Sequence, residues 1–392
     1  MQRALSRALL LTLVLAATLA PWRSQAEDRL TVRGNYYRET STRVLQPMVT
    51  FRKELPKQGV ALEAEYLLDV ISSASIASGA LALGGDEVFT EMRHETSFRA
   101  SGEFAEDWAA SGFYRYSTET DYTSHNFGVG LSRQLLQRTA TISVNYSASI
   151  NHAFRITNNI GALSRWTSSR DTNLLQVHYL SLGYGHILHR NVIAGLNLEG
   201  IYAAGPQDNP YRRARNGDVE IHPWLRKRLA PSVWLRWSVP KAKMAVEPRY
   251  RYYADDWQVQ AHAVEARVHF RPHRNLRLRL RYRFYTQTEA FFWRDDGVWA
   301  ADYPWRSDDP KMDDFHSHTV GARLIWGLDG ISKFKGLGWL AGAWIEATYN
   351  HVFVRCTDLS AVCLDQDFGY GTVRSTRYGD NRIGNLAFSL AF

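Results

Sequence analysis

Residues 275 to 284 read NLRLRLRYRF, and their alternation decides the fold. Leu276, Leu278, Leu280, Tyr282 and Phe284 fall on one side of an extended chain, and Arg277, Arg279, Arg281 and Arg283 on the other. A two-residue period is that of a β-strand with one apolar and one polar face. On a helix the four arginines would spiral round every side.

The same period recurs outward from this stretch. Val60 to Val70 sets Leu62, Ala64, Tyr66 and Leu68 against Glu63, Glu65 and Asp69, and Thr139 to Ile150 sets Ala140, Ile142, Val144 and Tyr146 against Thr141, Ser143, Asn145 and Ser147. Ser232 to Val239, Met244 to Tyr252, Val264 to Phe270 and Thr319 to Trp326 repeat it. Each is about ten residues or a little more, the length of a tilted strand crossing a bilayer.

Taken in order, the segments predict strands at 28–39, 42–54, 59–71, 91–104, 106–119, 121–134, 138–150, 172–186, 190–203, 227–239, 243–255, 257–271, 275–288, 313–327, 339–354 and 381–392. The fold class is therefore all-β: a transmembrane antiparallel up-and-down β-barrel of about sixteen strands, within a range of roughly 14–18. Short turns at 55–58, 136–137, 188–189, 241 and 272–274 are expected on the periplasmic side, taking every second connection. Long outward loops are expected at 72–90, 151–171, 204–226, 289–312 and 355–380, holding many Asp residues together with Trp293, Trp299 and Trp305. Pro47 and Pro248 fall inside strands, where each predicts a bulge or a displaced strand end.

Both ends of the chain agree with an exported barrel. Arg3 and Arg7 precede an apolar run from Ala8 to Ala20, and Ser24, Gln25 and Ala26 form a cleavage site, so residues 1–26 read as a secretory signal peptide and 27–392 as one barrel domain. At the other end Leu386, Phe388, Leu390 and Phe392 alternate up to a terminal aromatic, the pattern that outer-membrane barrels present to the barrel assembly machinery. Localisation in the bacterial outer membrane follows, with its lipid and lipopolysaccharide as obligatory partners.

Composition narrows the function classes. Aromatic residues reach 13%, with 20 Tyr and 13 Trp, side chains that suit membrane interfaces. The net charge of +8 falls to about +5 once the arginines of the leader are removed, too modest a surplus to indicate nucleic-acid binding. Cys356 and Cys363, separated by six residues in an oxidising compartment, are expected to close one disulfide; a metal or redox pair would lack the tighter CxxC spacing and neighbouring histidines.

If the apolar faces meet lipid, the polar faces line a lumen. Its expected charges are the Arg277, Arg279, Arg281, Arg283 column, Glu247, Arg249 and Arg251 on one nearby strand, and Glu265 and Arg267 on the next. Glu63, Glu65 and Asp69 face Arg93, Glu95 and Arg99 elsewhere. Such an array either makes a selective passage or pairs into a network that stiffens the wall. Arginine serves both, since its fork binds a wall carboxylate or a solute anion. At the outer rim, His316 and His318 alternate near Asp313 and Asp314, leaving open a metal site or an acid/base pair against ordinary solvated histidines. No phosphate-cradling glycine loop, HExxH or GxSxG motif is present, and no cofactor or metal is expected.

Several stretches resemble domain of unknown function 3570, a family of uncharacterised bacterial outer-membrane proteins. They are Tyr66 to Ile76 (YLLDVISSASI), Asn209 to Arg212, Tyr250 to Tyr253, Tyr282 to Thr288 and Phe315 to Thr319. The resemblance implies a single barrel and brings no established activity. It also implies an envelope redox setting, through association with exported flavin-attachment and thioredoxin-like proteins. These motifs gather Ser72, Ser73, Asn209, Tyr285, Gln287 and His316 near the outer rim, as loop anchors or as a binding vestibule.

Three functional expectations result. The first is a porin-like channel or transporter for a small polar solute, anions included. The second is a non-transporting barrel that scaffolds an envelope complex through its extracellular loops. The third is an enzyme at the rim, expected least. An open lumen would favour the first, and inserted loops with fully paired charges the second.

Overall fold

A computed structural model describes residues 28–39, 42–73, 89–119, 122–154, 172–208, 220–294, 297–356 and 380–392. The expected leader at 1–26, Asn209 and Cys363 lie outside the described residues, and with them the expected cleavage site and disulfide.

Sixteen strands close one antiparallel barrel. They are β1 (Arg29–Arg38), β2 (Thr42–Leu55), β3 (Val60–Ser73), β4 (Phe89–Ala105), β5 (Trp108–Thr118), β6 (Tyr122–Leu135), β7 (Ala140–Phe154) and β8 (Thr172–His189). The second half comprises β9 (Val192–Ala204), β10 (Leu225–Val239), β11 (Met244–Asp255), β12 (Gln260–His273), β13 (Leu276–Gln287), β14 (Phe315–Gly327), β15 (Trp344–Cys356) and β16 (Asn381–Ala391). Each strand pairs with its sequence neighbours, and β1 closes on β16 from Arg29 opposite Ala391 to Arg38 opposite Arg382. Closure leaves no free sheet edge, which is what a strand-built membrane span requires. The end that carries the short turns and both barrel termini is the periplasmic one.

The sequence alternation maps onto the two wall surfaces. Phe98, Val129, Leu196, Leu280, Val320 and Leu386 point outward and are 50–64% exposed. A continuous apolar surface of this size is the signature of a lipid-facing belt. Within it runs a repeated polar device. Tyr66, Tyr114, Tyr146, Tyr250 and Tyr282 each stand six residues beyond the first residue of β3, β5, β7, β11 and β13. Each pairs through its hydroxyl with Nδ1 of a histidine on the following strand: His94, His125, His178, His262 and His318, at 2.7–2.8 Å. The histidine always lies diagonally, two residues from the position opposite the tyrosine, as His318 sits opposite Phe284 and Tyr282 opposite Val320.

Two expectations are corrected. Pro47 and Pro248 cause neither a bulge nor a strand end: register passes unshifted from Leu45–Val70 to Met48–Leu67, and from Trp234–Arg249 to Trp237–Val246. Each proline forgoes ladder bonds on one side while the other neighbour, Gly34 or Ala266, stays in register. True register shifts occur at Glu103/Ala105, Ile187/His189 and Phe270/His273, all at periplasmic strand ends.

Nor does a short turn take every second connection, for β14 and β15 are joined on the periplasmic side by residues 328–343, which contain two 3-10 turns. This segment persists because it is packed. Leu328, Leu340 and Ala343 are buried against Ile345, Phe388 and Leu390 of the outer surface, and Asp329 Oδ1 accepts from Gly342 N at 2.9 Å. Phe388 and Leu390 of the terminal pattern are thereby covered, whereas Leu386 remains open and Phe392 stacks on Phe51 with centroids 6.2 Å apart.

Candidate functional site: the lumen wall

Inward residues of β10–β14 form one strongly cationic wall. Glu247, only 1% exposed, sits at its centre. Its carboxylate accepts from Arg236 Nε and Arg249 Nε, each at 2.7 Å, and from Arg267 Nη1 at 3.3 Å. Arg267 also pairs with Glu265, whose other oxygen accepts from Arg281 Nη2 at 2.7 Å. The result is a zigzag of ion pairs running across four strands, from Arg236 to Arg281. On its flanks Arg251 pairs with Glu199, and Arg323 Nη2 with Glu346 at 2.6 Å.

Register distributes the four arginines of β13 unequally. Glu265 lies directly opposite Arg283 yet reaches diagonally to Arg281. Arg283 instead places its guanidinium 5.2 Å from the Tyr285 ring centroid. Arg279 lies between His269 and Arg323, directly opposite both, and its Nε is buried without a hydrogen-bond partner. Among the described residues, Arg277, Arg279 and Arg283 make no ion pair.

Across the barrel the predicted acidic residues are mostly answered. Asp69 is paired with Arg93, whose Nε lies 2.6 Å from Oδ2, and Arg115 with Glu95 at 3.2 Å. Thr50 Oγ1 donates to Glu65 at 2.9 Å, Glu63 stands opposite Arg99, and the Arg99 guanidinium lies 5.9 Å from the Phe113 centroid. Between the two charged walls, β5–β9 present small uncharged groups: Ser111, Ser132, Ser143, Asn145, Gly183 and Asn197.

The rim candidates separate. Ser72 and Ser73 close β3 at its outer end, their side chains outside the described set. Gln287 ties down the β13–β14 connection, donating through Nε2 to Asp313 O at 2.7 Å and Lys311 O at 3.1 Å and accepting from Tyr285 at 2.8 Å. That is the loop-anchor role. His316 and His318 belong to the outward face, packed with Phe284, whereas Asp313 is buried on the opposite parity. Asp313 is thereby set apart from the two histidines, while Asp314 shares their parity just before β14 begins.

One feature was not read from sequence. On the lumen side of β10–β12, at the outer end, residues 220–224 and 288–314 pack together around Trp257, Val259, Ala290, Phe292 and Trp293. Ile221 and Arg306 exchange backbone hydrogen bonds at 2.9–3.0 Å, and Ser307 Oγ donates to the buried Glu220 carboxylate at 2.7 Å. Arg226 lies 3.8 Å over the Trp257 ring while pairing with Asp255. Burial beside Trp257 and Phe292 pushes the His222 pKa below its usual value. Burial, reinforced by the Asp314 carboxyl, pushes Asp313 up to about 7. The tryptophans of 288–314 were the available signal, but no periodicity tells which loop aromatics will meet. Arg236, Arg323, Glu199 and Glu346 were also missed, although strand alternation puts each on the polar face.

Among solved structures the barrel is similar to CdiB from Acinetobacter baumannii, with TM-score 0.48 and 7% identity over 94% of this chain and 61% of that one. The chain thus spans about 61% of the length of CdiB. A BenF-like porin from Pseudomonas fluorescens Pf-5 gives TM-score 0.45 and 8% identity, covering 94% and 99% of the two chains. A bacterial polysaccharide outer membrane secretin gives 0.48 and 8%, covering 94% and 100%. No curated protein sequence matches. A family model matches residues 80–335, a span that holds β4–β14, and the chain belongs to the family described as Protein of unknown function (DUF3570).

Proposed function

We propose that the chain resides in the outer membrane of a Gram-negative bacterium as a porin-like channel for a small polar solute, with anions favoured over cations. The state of the arginine column carries this reading. Arg277, Arg279 and Arg283 are without carboxylate partners among the described residues, and on the same wall the Arg249 and Arg251 side chains are 40% and 44% exposed. Arginines kept for wall strength are answered pair by pair, as Arg281 is by Glu265. A row left unanswered in an aqueous lumen draws anions. The apolar belt would contact lipid, with lipopolysaccharide at the outer rim, and the outward terminal strand would engage the barrel assembly machinery. No cofactor and no catalytic step form part of the proposal.

The test is single-channel conductance of the refolded protein in a planar bilayer under a salt gradient. Steady steps with a reversal potential set by anions are expected. Silence from a heat-modifiable, folded barrel would overturn the channel reading.

A second reading has its own observation, the aromatic packing of 220–224 and 288–314 over the outer end of β10–β12. A barrel with a covered mouth suits a scaffold for an envelope complex, redox-associated or not. A silent barrel that co-purifies with an envelope protein through these segments would favour it.

A further inference from the structure

The cationic wall is not uniform along its height. At mid-height a cavity of about 660 Å³ brings Arg249, Arg251, Arg267, Arg281 and Arg283 together with Glu199 and Glu265. At the periplasmic end of the same wall a second cavity, of about 830 Å³, is lined by Lys243, Arg271, Arg274, Arg277, Arg279 and Arg323 and by no Asp or Glu. His269 and His273 complete its ionisable lining.

Three observations indicate that these cations are arranged for something other than wall strength. Arg279 and Arg323 stand directly opposite each other on β13 and β14, a like-charge pair that destabilises a sheet. Arginine cannot relieve the repulsion by losing its proton. Among the described residues the only carboxylate that reaches either is Glu346, on Arg323; Nε of both guanidiniums is buried without a hydrogen-bond partner. Arg277 lies two residues further along the same face, about 7 Å away, towards the periplasmic turn. Lys243 and Arg271 donate to backbone carbonyls, Pro272 O at 3.4 Å and Arg274 O at 3.0 Å, so neither is neutralised.

We infer that this cavity is a binding site for small solutes bearing two or more anionic groups, phosphates or carboxylates. One anionic group would sit between Arg279 and Arg323, where two planar forks match its oxygens, and the next would reach Arg277 and the turn cations. A monoanion answers only the first of these. The cations Arg277, Arg279 and Arg323 stand on the lumen face, while Met244, Phe270 and Leu278 of the outward parity also line the cavity, and the ligand assigned to it is a free solute rather than a lipid headgroup. The inference deepens the channel reading by naming its solute class, and relies on that reading only for the solute's route of access.

The test is calorimetric titration of the refolded full chain, in nanodiscs of zwitterionic phosphatidylcholine, with inorganic pyrophosphate, inorganic phosphate and acetate at fixed ionic strength. Pyrophosphate is expected to bind at least tenfold more tightly than phosphate, and acetate not measurably. The Arg277→Ser/Arg279→Ser variant should lose at least tenfold of the pyrophosphate affinity. If that variant does not fold, Arg279→Lys, which keeps the charge and loses the fork, should weaken pyrophosphate several-fold. Equal affinities for the three anions would overturn the site, as would unchanged binding by the folded variant. Displacement of pyrophosphate by phosphatidylglycerol in the nanodisc would overturn it too, by reassigning the cavity to lipid. The two claims fail separately: a silent barrel that still prefers pyrophosphate removes the channel alone, and an anion-selective channel without that preference removes the site alone.

Discussion

Two sectors of the lumen wall, β6–β8 and β10–β14, are built on the same alternation and end in opposite chemistry. On β6–β8 most inward positions are hydroxyls, amides and glycines packed close to the wall. A Cβ added at Gly130 would meet Asn145 Oδ1 at 2.5 Å, and one at Gly183 would meet Ser143 Oγ at the same distance. This sector stays thin and neutral. On β10–β14 long guanidinium side chains project inward, some held by Glu247 and Glu265 and some unanswered. The free width of the lumen and its unanswered positive field therefore lie on different sectors of the wall, so a solute passing near the centre feels a transverse field, as in charged pore linings.

Glu247→Ala should produce the largest effect. It leaves Arg236, Arg249 and Arg267 facing one another around a cavity. Breaking a fully buried pair costs about 3–5 kcal/mol, and partial exposure of these arginines lowers the expectation to about 2 kcal/mol. Urea unfolding in detergent reads it; an unchanged midpoint would mean the cationic wall needs no internal counter-charge. Next, Arg277→Ser/Arg279→Ser should reduce the anion-to-cation permeability ratio several-fold with little change in unfolding midpoint, because neither residue holds an ion pair. Loss of stability with unchanged selectivity would make the column structural. Ser143→Arg, on the neutral sector, should raise anion preference by a smaller factor, and no change there would break the picture of two unequal sectors.

The smallest effect concerns the packing above the cationic sector. His222 is buried neutral with a lowered pKa, so its contribution is present above the free value of about 6.5 and lost as pH falls. Asp313, raised to about 7, acts in the opposite sense. Its contribution is full below the free value of about 4 and is lost as pH rises through about 7. Limited proteolysis within 288–314 should therefore change little with pH in the wild type where the two opposed contributions overlap, between about 4 and about 6.5. In His222→Phe, protection should instead increase steadily on acidification. The same profile in both proteins would exclude His222 as the acid-side group.

Much of the fold was legible because a membrane barrel repeats one rule sixteen times, and most strand bounds fall within a few residues of the alternation. Facing followed from the same rule, so the arginine column was placed in the lumen from its own letters. What alternation lacks is register. Arg279 and Arg281 look identical in NLRLRLRYRF, yet only pairing with β12 and β14 reveals that Glu265 takes Arg281 and leaves Arg279 beside Arg323. The segment 328–343 was missed because its burial depends on Phe388 and Leu390, far along the chain. For His316 and His318, whose role the sequence left open, the face was legible, since Val320, Leu324 and Trp326 continue the parity of those histidines on the apolar face.

The five Tyr–His pairs bear on how such a chain avoids misassembly. A slip of one residue between strands turns every side chain to the wrong face and is rejected by hydrophobicity alone. A slip of two keeps all faces correct, so the apolar pattern cannot detect it. Three of the five pairs bridge strands joined by the long connections 74–88, 155–171 and 288–314, whose length sets no register. In each, the tyrosine finds Nδ1 only at one diagonal, and a two-residue slip would forfeit a hydrogen bond of about 1 kcal/mol. The outward belt thus works as a proofreading scale, graduated in steps that the lipid cannot read.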